Sequence, residues 1–405
     1  MRLDGEHGGH LSSVHPTPGL RMMRAVPPAM RPAVRALITA ASIAIGAATV
    51  PRLALGRSAG ALFDGDVEAQ RALAGAVAAD VRGGVGVERF HTGDARFDGE
   101  WALVSNMMAA LGLGQVVLAH PELRGAYLPA IEAAVERLLA KETTAFGTAA
   151  WGARGIDDLE SDHGHAYLGY VDLAVGMLRL LDPGTRFARD HDRLTAALAR
   201  RIAAAPHGLI ETYPGEAYPA DVASVVGAIG MYDRATGAHH DALLKRFAAT
   251  FRATWIDAQS GLAFQAGVAA TGRPAAPPRA SGSAIAAYFL SFADRALAMD
   301  LARALARGQQ ASFLGLGGVR EYAPGHAGHG DIDSGPVIFG VSVSATGFAI
   351  AGARMIGDRG MYTALYRTAD LFGVPVARDG ARRFATGGPL GNAILLAMLT
   401  AEVPR

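Results

Sequence analysis

Carboxylates, histidines and tyrosines crowd into a few short stretches of this chain, and one of the densest opens the segment GHGDIDSGPVIFGVSVSATGFAIAGARMIGD, Gly328 to Asp358. His329, Asp331 and Asp333 stand directly before an almost uncharged apolar run from Gly335 to Ala353, the pattern of a buried helix reached through a polar mouth. With a spacing of two, an extended backbone puts both aspartates on one side, and like-charge repulsion then raises one pKa. Acid–base chemistry is one role for this pair. The other is N-capping of the Gly335 helix by Asp333 or Ser334.

Similar stretches recur. ERFHTGDARFDGEW carries His91, Asp94, Asp98, Glu100 and Trp101, and ETYPGEAYPAD carries Glu211, Tyr213, Glu216, Tyr218 and Asp221. WGARGIDDLESDHGHAYLGY holds Trp151, Glu160, Asp162, His163, His165, Tyr167 and Tyr170. A Pro-rich stretch adds Arg279 and Ser281, and REYAPGHAGHGDIDSG adds Arg320, Glu321, Tyr322 and His326. RRFATGGPLGN supplies Arg383, Thr386 and Asn392.

Glycosidic cleavage needs one carboxylic acid for the leaving oxygen and one carboxylate for water or carbon. Asp333 or Asp331, set against Glu160 or Asp162, is the leading acid–base pair, with Glu216 next. Asp162 has a competing role as N-cap of a helix from His163. Aromatic and polar groups for sugar faces and hydroxyls come from Trp101, His163, His165, Tyr167, Tyr213 and Tyr218, with Arg279, Arg320, Glu321 and His329 beside them. A lyase would use His163 or His165 as base, a tyrosine as acid and Arg279 or Arg320 against a uronate. The spacings HxH and HxxHxD match no established metal-ligand set, so no metal is assigned. No G-x-S-x-G, nucleotide-binding loop or other cofactor motif appears; FLGLGG at Phe313 to Gly318 and ATGGPLGN at Ala385 to Asn392 read as tight loops.

Helices in pairs must position these groups. One-sided amphipathic helices are predicted over Val67–Val81, Tyr127–Lys141, Asp190–Ala204, His240–Thr254, Asp294–Ala306 and Met361–Leu371. Each precedes a segment apolar nearly all round: Trp101–Leu118, His163–Leu181, Ala220–Tyr232, Ser283–Phe292, Gly335–Ala353 and Leu390–Ala401. Helices without a polar face are buried on both sides. Successive all-apolar segments begin 52 to 64 residues apart, which predicts an all-α fold, an (α/α)6 toroid with a double ring of six helical hairpins. All long, chemically loaded loops then emerge at one mouth. Gly227, Gly230, Gly340, Gly347 and Gly352 are expected at close helix contacts inside the inner ring.

Half of the 405 residues are hydrophobic and the formal charge is +1, enough for a large core and without a field for nucleic acid. The absence of cysteine excludes disulfides and thiol nucleophiles. Residues 1–58 read as a disordered basic leader with an apolar signal or anchor segment: Arg21, Arg24, Arg31 and Arg35 precede the uncharged run Ala36 to Val50. That run predicts an exported or membrane-anchored protein associated with a membrane through residues 36–50, and a cytoplasmic one if the segment is not a signal. Residues 59–405 then form a single catalytic domain.

This layout resembles the (α/α)6-toroid carbohydrate-active enzymes, including inverting glycoside hydrolases and some polysaccharide lyases. The resemblance is one of architecture and residue type over Asp66 to Ala401, and implies a small-molecule or oligosaccharide substrate. A more distant resemblance is to linalool dehydratase-isomerase toroids, whose cysteines have no counterpart in this sequence. The expected function is a glycan-cleaving hydrolase, with a His/Tyr lyase, dehydratase or isomerase, or a non-catalytic glycan-binding envelope protein, as alternatives.

Overall fold

A computed structural model of the protein describes residues 31–401. Of the leader expected over residues 1–58, residues 1–30 lie outside the described residues. The chain divides into two compact units, Met1–Ala47 and Ala48–Arg405. The first is described as a helix, α1 (Arg31–Ala54), whose last turns belong to the second. Leu37 and Ile43 on it are 71% and 67% exposed. The apolar run of the sequence looks short because it is counted between charges, whereas the helix runs past both ends of it. Pro32–Ala54 has 23 residues, with a mean hydropathy of 1.7 over an 18-residue stretch of it, long and apolar enough to cross a membrane.

The second unit is mostly helical. In chain order come α2 (Ala59–Asp64), α3 (Val67–Arg82), α4 (Ala95–Ala119), α5 (Arg124–Leu139), α6 (Ala145–Trp151), α7 (Leu168–Leu181) and α8 (Ala188–Ala204). There follow α9 (Pro219–Thr236), α10 (Asp241–Thr254), α11 (Ala280–Leu290), α12 (Arg295–Gly308), α13 (Val343–Met355), α14 (Arg359–Gly373) and α15 (Gly388–Leu399). The described chain is 61% helix and 9% strand, so the all-α expectation holds.

Twelve of these helices overlap the twelve expected ones, and their burial follows the pattern read from the sequence. On α12, Leu297, Ala298, Leu301, Ala302 and Leu305 are buried at helical spacing and form one face. On α4, nearly every residue from Ala102 to Val117 is buried. This helix also has the length and apolarity to cross a membrane, but 83% of its apolar window is inside the protein. Each fully buried leucine contributes roughly 1.5–3 kcal/mol. The all-apolar helices pack in a defined order: α4 on α7, α7 on α9, α9 on α11, α11 on α13, α13 on α15, and α15 on α4.

Glycines let them approach. A Cβ on Gly227 would stand 2.5 Å from the Phe289 carbonyl oxygen, and one on Gly230 2.5 Å from the Ala293 Cα. Gly352 faces Ala302 at 3.2 Å in the same sense, but Gly347 has no neighbour within 4 Å, and Gly340 lies in a turn rather than a helix.

Eight short strands were not foreseen: β1 (Gly267–Val268), β2 (Arg273–Pro274), β3 (Gln310–Phe313), β4 (Leu316–Arg320), β5 (Val337–Ile338), β6 (Val341–Ser342), β7 (Pro375–Arg378) and β8 (Ala381–Phe384). They form β1–β2 and β7–β8 hairpins and a four-stranded sheet in the order β3-β4-β6-β5. Three hairpins close on two-residue turns with positive φ at both positions, Leu314-Gly315, Phe339-Gly340 and Asp379-Gly380, the geometry that matches strand twist. The FLGLGG stretch is therefore a hairpin rather than a tight loop, and ATGGPLGN runs into α15. The Gly335 helix starts eight residues late because the β5–β6 hairpin occupies its expected first turns. Ser342, not Asp333 or Ser334, caps it, accepting the Ala345 amide at 3.0 Å. Likewise α7 begins at Leu168, so Asp162 does not cap it, whereas Asp221 lies in the first turn of α9 as expected.

Candidate active site

A cavity of about 590 Å³ is lined by residues from α4, α7, α9, α11, α13 and α15 and from the loops that lead into them. Its polar lining comprises Arg96, Glu100, Glu216, Asp221, Gln265 and Asp333, with the tyrosines Tyr167, Tyr170, Tyr213 and Tyr218. The rest is apolar, built from residues such as Met107 and Met108 of α4, Phe289 of α11, Phe348 of α13 and Ile394 of α15. Trp101 also lines it.

Glu100 sits one turn into α4, half-buried. The Tyr213 hydroxyl donates to its Oε1, and the Arg96 Nε stands 3.3 Å away. Burial lifts the Glu100 carboxyl to about 7, with help from the nearby Asp221, against the pull of Tyr213 and Arg96. Arg96 lies over the Tyr213 ring at 3.6 Å and reaches Glu216 Oε2 at 2.8 Å. Its hydrogen bond holds Glu216 below the usual carboxylate range, with a further bond from the Tyr218 hydroxyl at 2.8 Å. Glu216 is thus an ion-paired positioning group. Asp221 accepts from the hydroxyls of Tyr170 and Thr212, the latter at 2.6 Å, and burial pushes its carboxyl up.

The two aspartates of the DID stretch part company. Arg279 holds Asp331 through both guanidinium nitrogens at 2.5 and 2.9 Å and Glu321 at 2.6 Å. Burial alone would lift Asp331, but Arg279 and the Ser334 amide outweigh it and bring the carboxyl down to about 2. Glu321 is sealed in completely, also bonded by the Ser281 hydroxyl at 2.6 Å. Asp333 reaches the cavity and accepts from the Gln265 amide at 3.3 Å. Its surface is exposed to solvent, and the protein packed around the carboxyl, then Asp331 and Asp221, push it up to about 6. The like-charge effect expected from the spacing is present, but crowding by protein is the larger cause.

Several residues singled out from the sequence stand apart from the cavity. Glu160 is exposed, and Asp162 is exposed and pairs with Arg200 at 3.4 Å. Both lie in the loop before α7, whose buried face is taken by Leu159, His165 and Ala166. His163 is exposed beside Trp151, Arg320 is exposed at the end of β4, and His329 is exposed with its carbonyl bonded by the Tyr322 hydroxyl at 3.1 Å. His165 lies behind the wall, 3.3 Å from the Tyr167 hydroxyl, and burial with the nearby Arg201 lowers it to about 4, so it is neutral at neutral pH. Burial raises Tyr167 to about 12. Asp331, Arg279 and Glu321 form a supporting chain outside the lining, whereas Trp101, Tyr167, Tyr213, Tyr218, Glu216 and Asp333 do line the cavity.

Glu100, Asp221 and Tyr170 were named in their stretches but not chosen. Glu100 follows Arg96 by four and precedes Trp101, a helical pairing that places it beside an aromatic at the mouth. Among the described residues no group of three or more His, Asp or Glu has the geometry to hold a metal ion. Searches against protein-family models and curated proteins find no match for this chain.

Proposed function

We propose that this protein is an enzyme that cleaves a C–O bond by acid–base catalysis in the cavity, with Glu100 as acid and Asp333 as base. The observation that carries this reading is that two carboxyls, Glu100 and Asp333, line the same cavity and are both pushed up by the protein packed around them, to about 7 and about 6. Both stand nearer neutrality than an ordinary carboxyl, so one can give a proton while the other takes one, the division of labour that acid–base pairs need. For a glycoside, Glu100 gives its proton to the leaving oxygen as the C–O bond breaks. Asp333 takes a proton from the water that adds to the anomeric carbon, and the hydrolysis balances as an inversion. Trp101 and Tyr218 supply surfaces for sugar rings.

The scaffold reading goes with this. The neighbour order that runs from α4 through α7, α9, α11, α13 and α15 back to α4 supports an (α/α)6 toroid of the carbohydrate-active kind. In that reading α1 is a signal or membrane anchor and the enzyme is extracytoplasmic.

A dehydratase or isomerase is the second reading, and the apolar floor favours it. Met107, Met108, Phe289, Phe348 and Ile394 offer sugar hydroxyls no hydrogen bonds but suit a hydrocarbon. The same acid would then protonate an alcohol oxygen, and the same base would remove a proton from carbon as water leaves. A uronate lyase fits less well, because Arg96 and Arg279 are already paired with carboxylates and Arg320 lies outside the cavity. A binding protein without catalysis leaves two raised carboxyls in one cavity unexplained.

The test is turnover of a panel of glycosides, oligosaccharides and long-chain or isoprenoid alcohols by wild type, Glu100→Gln and Asp333→Asn, each with its melting temperature. Turnover lost in a folded variant supports the assignment. Turnover retained in both variants overturns it, and the class of substrate consumed decides between the two readings.

A further inference from the structure

The stretch Arg52 to Ser58, itself part of the second unit, is held at one corner of that unit. Arg367 of α14 donates to the Arg52 carbonyl at 3.3 Å and to the Gly315 carbonyl at 3.5 Å. The Gly56 amide donates to Asp370 at 2.9 Å, and Ser58 and Tyr366 share a hydrogen bond at 2.7 Å. Thr368 adds a bond to the Gly317 carbonyl at 2.5 Å. Thus the last turn of a helix long enough to cross a membrane, the β3–β4 turn and the second half of α14 meet in one place.

That corner carries large apolar side chains in water. Phe313 before the β3–β4 turn is 73% exposed, and Phe372, in the turn of α14 after Thr368, is 68% exposed. Leu371, Val374 and Val376 continue the patch into β7. Arg57, just before Ser58, and Arg378, at the end of β7, are exposed, and Arg378 stands 3.4 Å from Asp379. Exposed apolar groups together with exposed arginines, next to the end of an apolar helix, match the acyl boundary and anionic headgroups of a bilayer.

We propose that this patch is an interfacial membrane contact: Phe313, Leu371, Phe372, Val374 and Val376 dip into the same bilayer that takes α1. The contact is made by the folded body and is distinct from the span itself. It would fix the body against the membrane by a second point, so that the body does not swing freely on the segment after Ala54.

Because the chain has no cysteine, a single introduced thiol labels one site. The full-length protein is reconstituted into phosphatidylcholine vesicles with one-third phosphatidylglycerol, with Ile43→Cys, Phe313→Cys, Phe372→Cys or Asp241→Cys bearing an environment-sensitive dye. Asp241, on α10, is exposed and far from α14 in the order of helix contacts. Quenching of the dye by brominated lipid at positions 43, 313 and 372, with none at 241, is the expected result. Quenching at 43 without quenching at 313 and 372 would overturn the patch while leaving the span. No quenching at any position would overturn both.

Discussion

Arg279 grips Asp331 with two guanidinium nitrogens, at 2.5 and 2.9 Å, and leaves Asp333, two residues along, an amide from Gln265 at 3.3 Å in place of a cation. Arg279 thereby holds one carboxyl at about 2, while the protein packed around the other, and then the charge on Asp331, lift it to about 6.

Removing that cation has two consequences. In Arg279→Met, Glu321, with none of its surface exposed, loses its counter-charge, and a broken buried ion pair costs about 3–5 kcal/mol. Chemical denaturation should show that loss. The pH dependence changes as well. The folded-state pKa of Asp331 is depressed, so its contribution is present above its ordinary value of 3.8 and lost as pH falls toward about 2. Wild type should lose that part of its stability across this window, and Arg279→Met should lack that component.

Activity should follow a narrow bell. The acid limb belongs to ionisation of Asp333 near 6 and the basic limb to loss of the Glu100 proton near 7. The Tyr213 hydroxyl donates to Glu100 and so favours its carboxylate. In Tyr213→Phe the basic limb of kcat/KM should therefore move to higher pH, while the acid limb stays in place.

Glu100→Gln and Asp333→Asn should each lower kcat by roughly 10²- to 10⁴-fold. Glu100→Gln should not lower Tm, since it removes a carboxyl that burial disfavours when charged. Glu160→Gln and Asp162→Asn, at exposed positions outside the cavity, should keep wild-type turnover.

Two glycines on inner helices should respond in opposite directions. Gly227→Ala places a Cβ 2.5 Å from a backbone oxygen of α11 and should destabilise by about 1–3 kcal/mol. Gly347→Ala meets nothing within 4 Å and should stabilise by up to about 1 kcal/mol through helix propensity. Thermal unfolding of both variants checks this.

The helices were legible because burial on one face or on all faces leaves a period in the sequence, as in Leu297, Leu301 and Leu305 against the unbroken run of α4. The hairpins were less so. Asp379-Gly380 is a usual two-residue turn, but Leu314-Gly315 and Phe339-Gly340 put bulky residues at positive φ, which no composition signal announces. At the site, Asp333 stood out by its spacing from Asp331. Glu100 did not, because a single glutamate in the first turns of a helix looks like any favourable N-terminal charge. Its role depends on Tyr213, 113 residues away. Glu160 and Asp162 look as loaded as the others in sequence; only packing turns them outward.

The most direct test of the central claim is a carboxyl ¹³C NMR titration of wild type, Glu100→Gln and Asp333→Asn. The account predicts one carboxyl titrating near 7 that vanishes in Glu100→Gln and one near 6 that vanishes in Asp333→Asn. If every glutamate and aspartate that lines the cavity titrates below about 5, in the ordinary carboxylate range, no proton donor is held there at neutral pH and the account is contradicted.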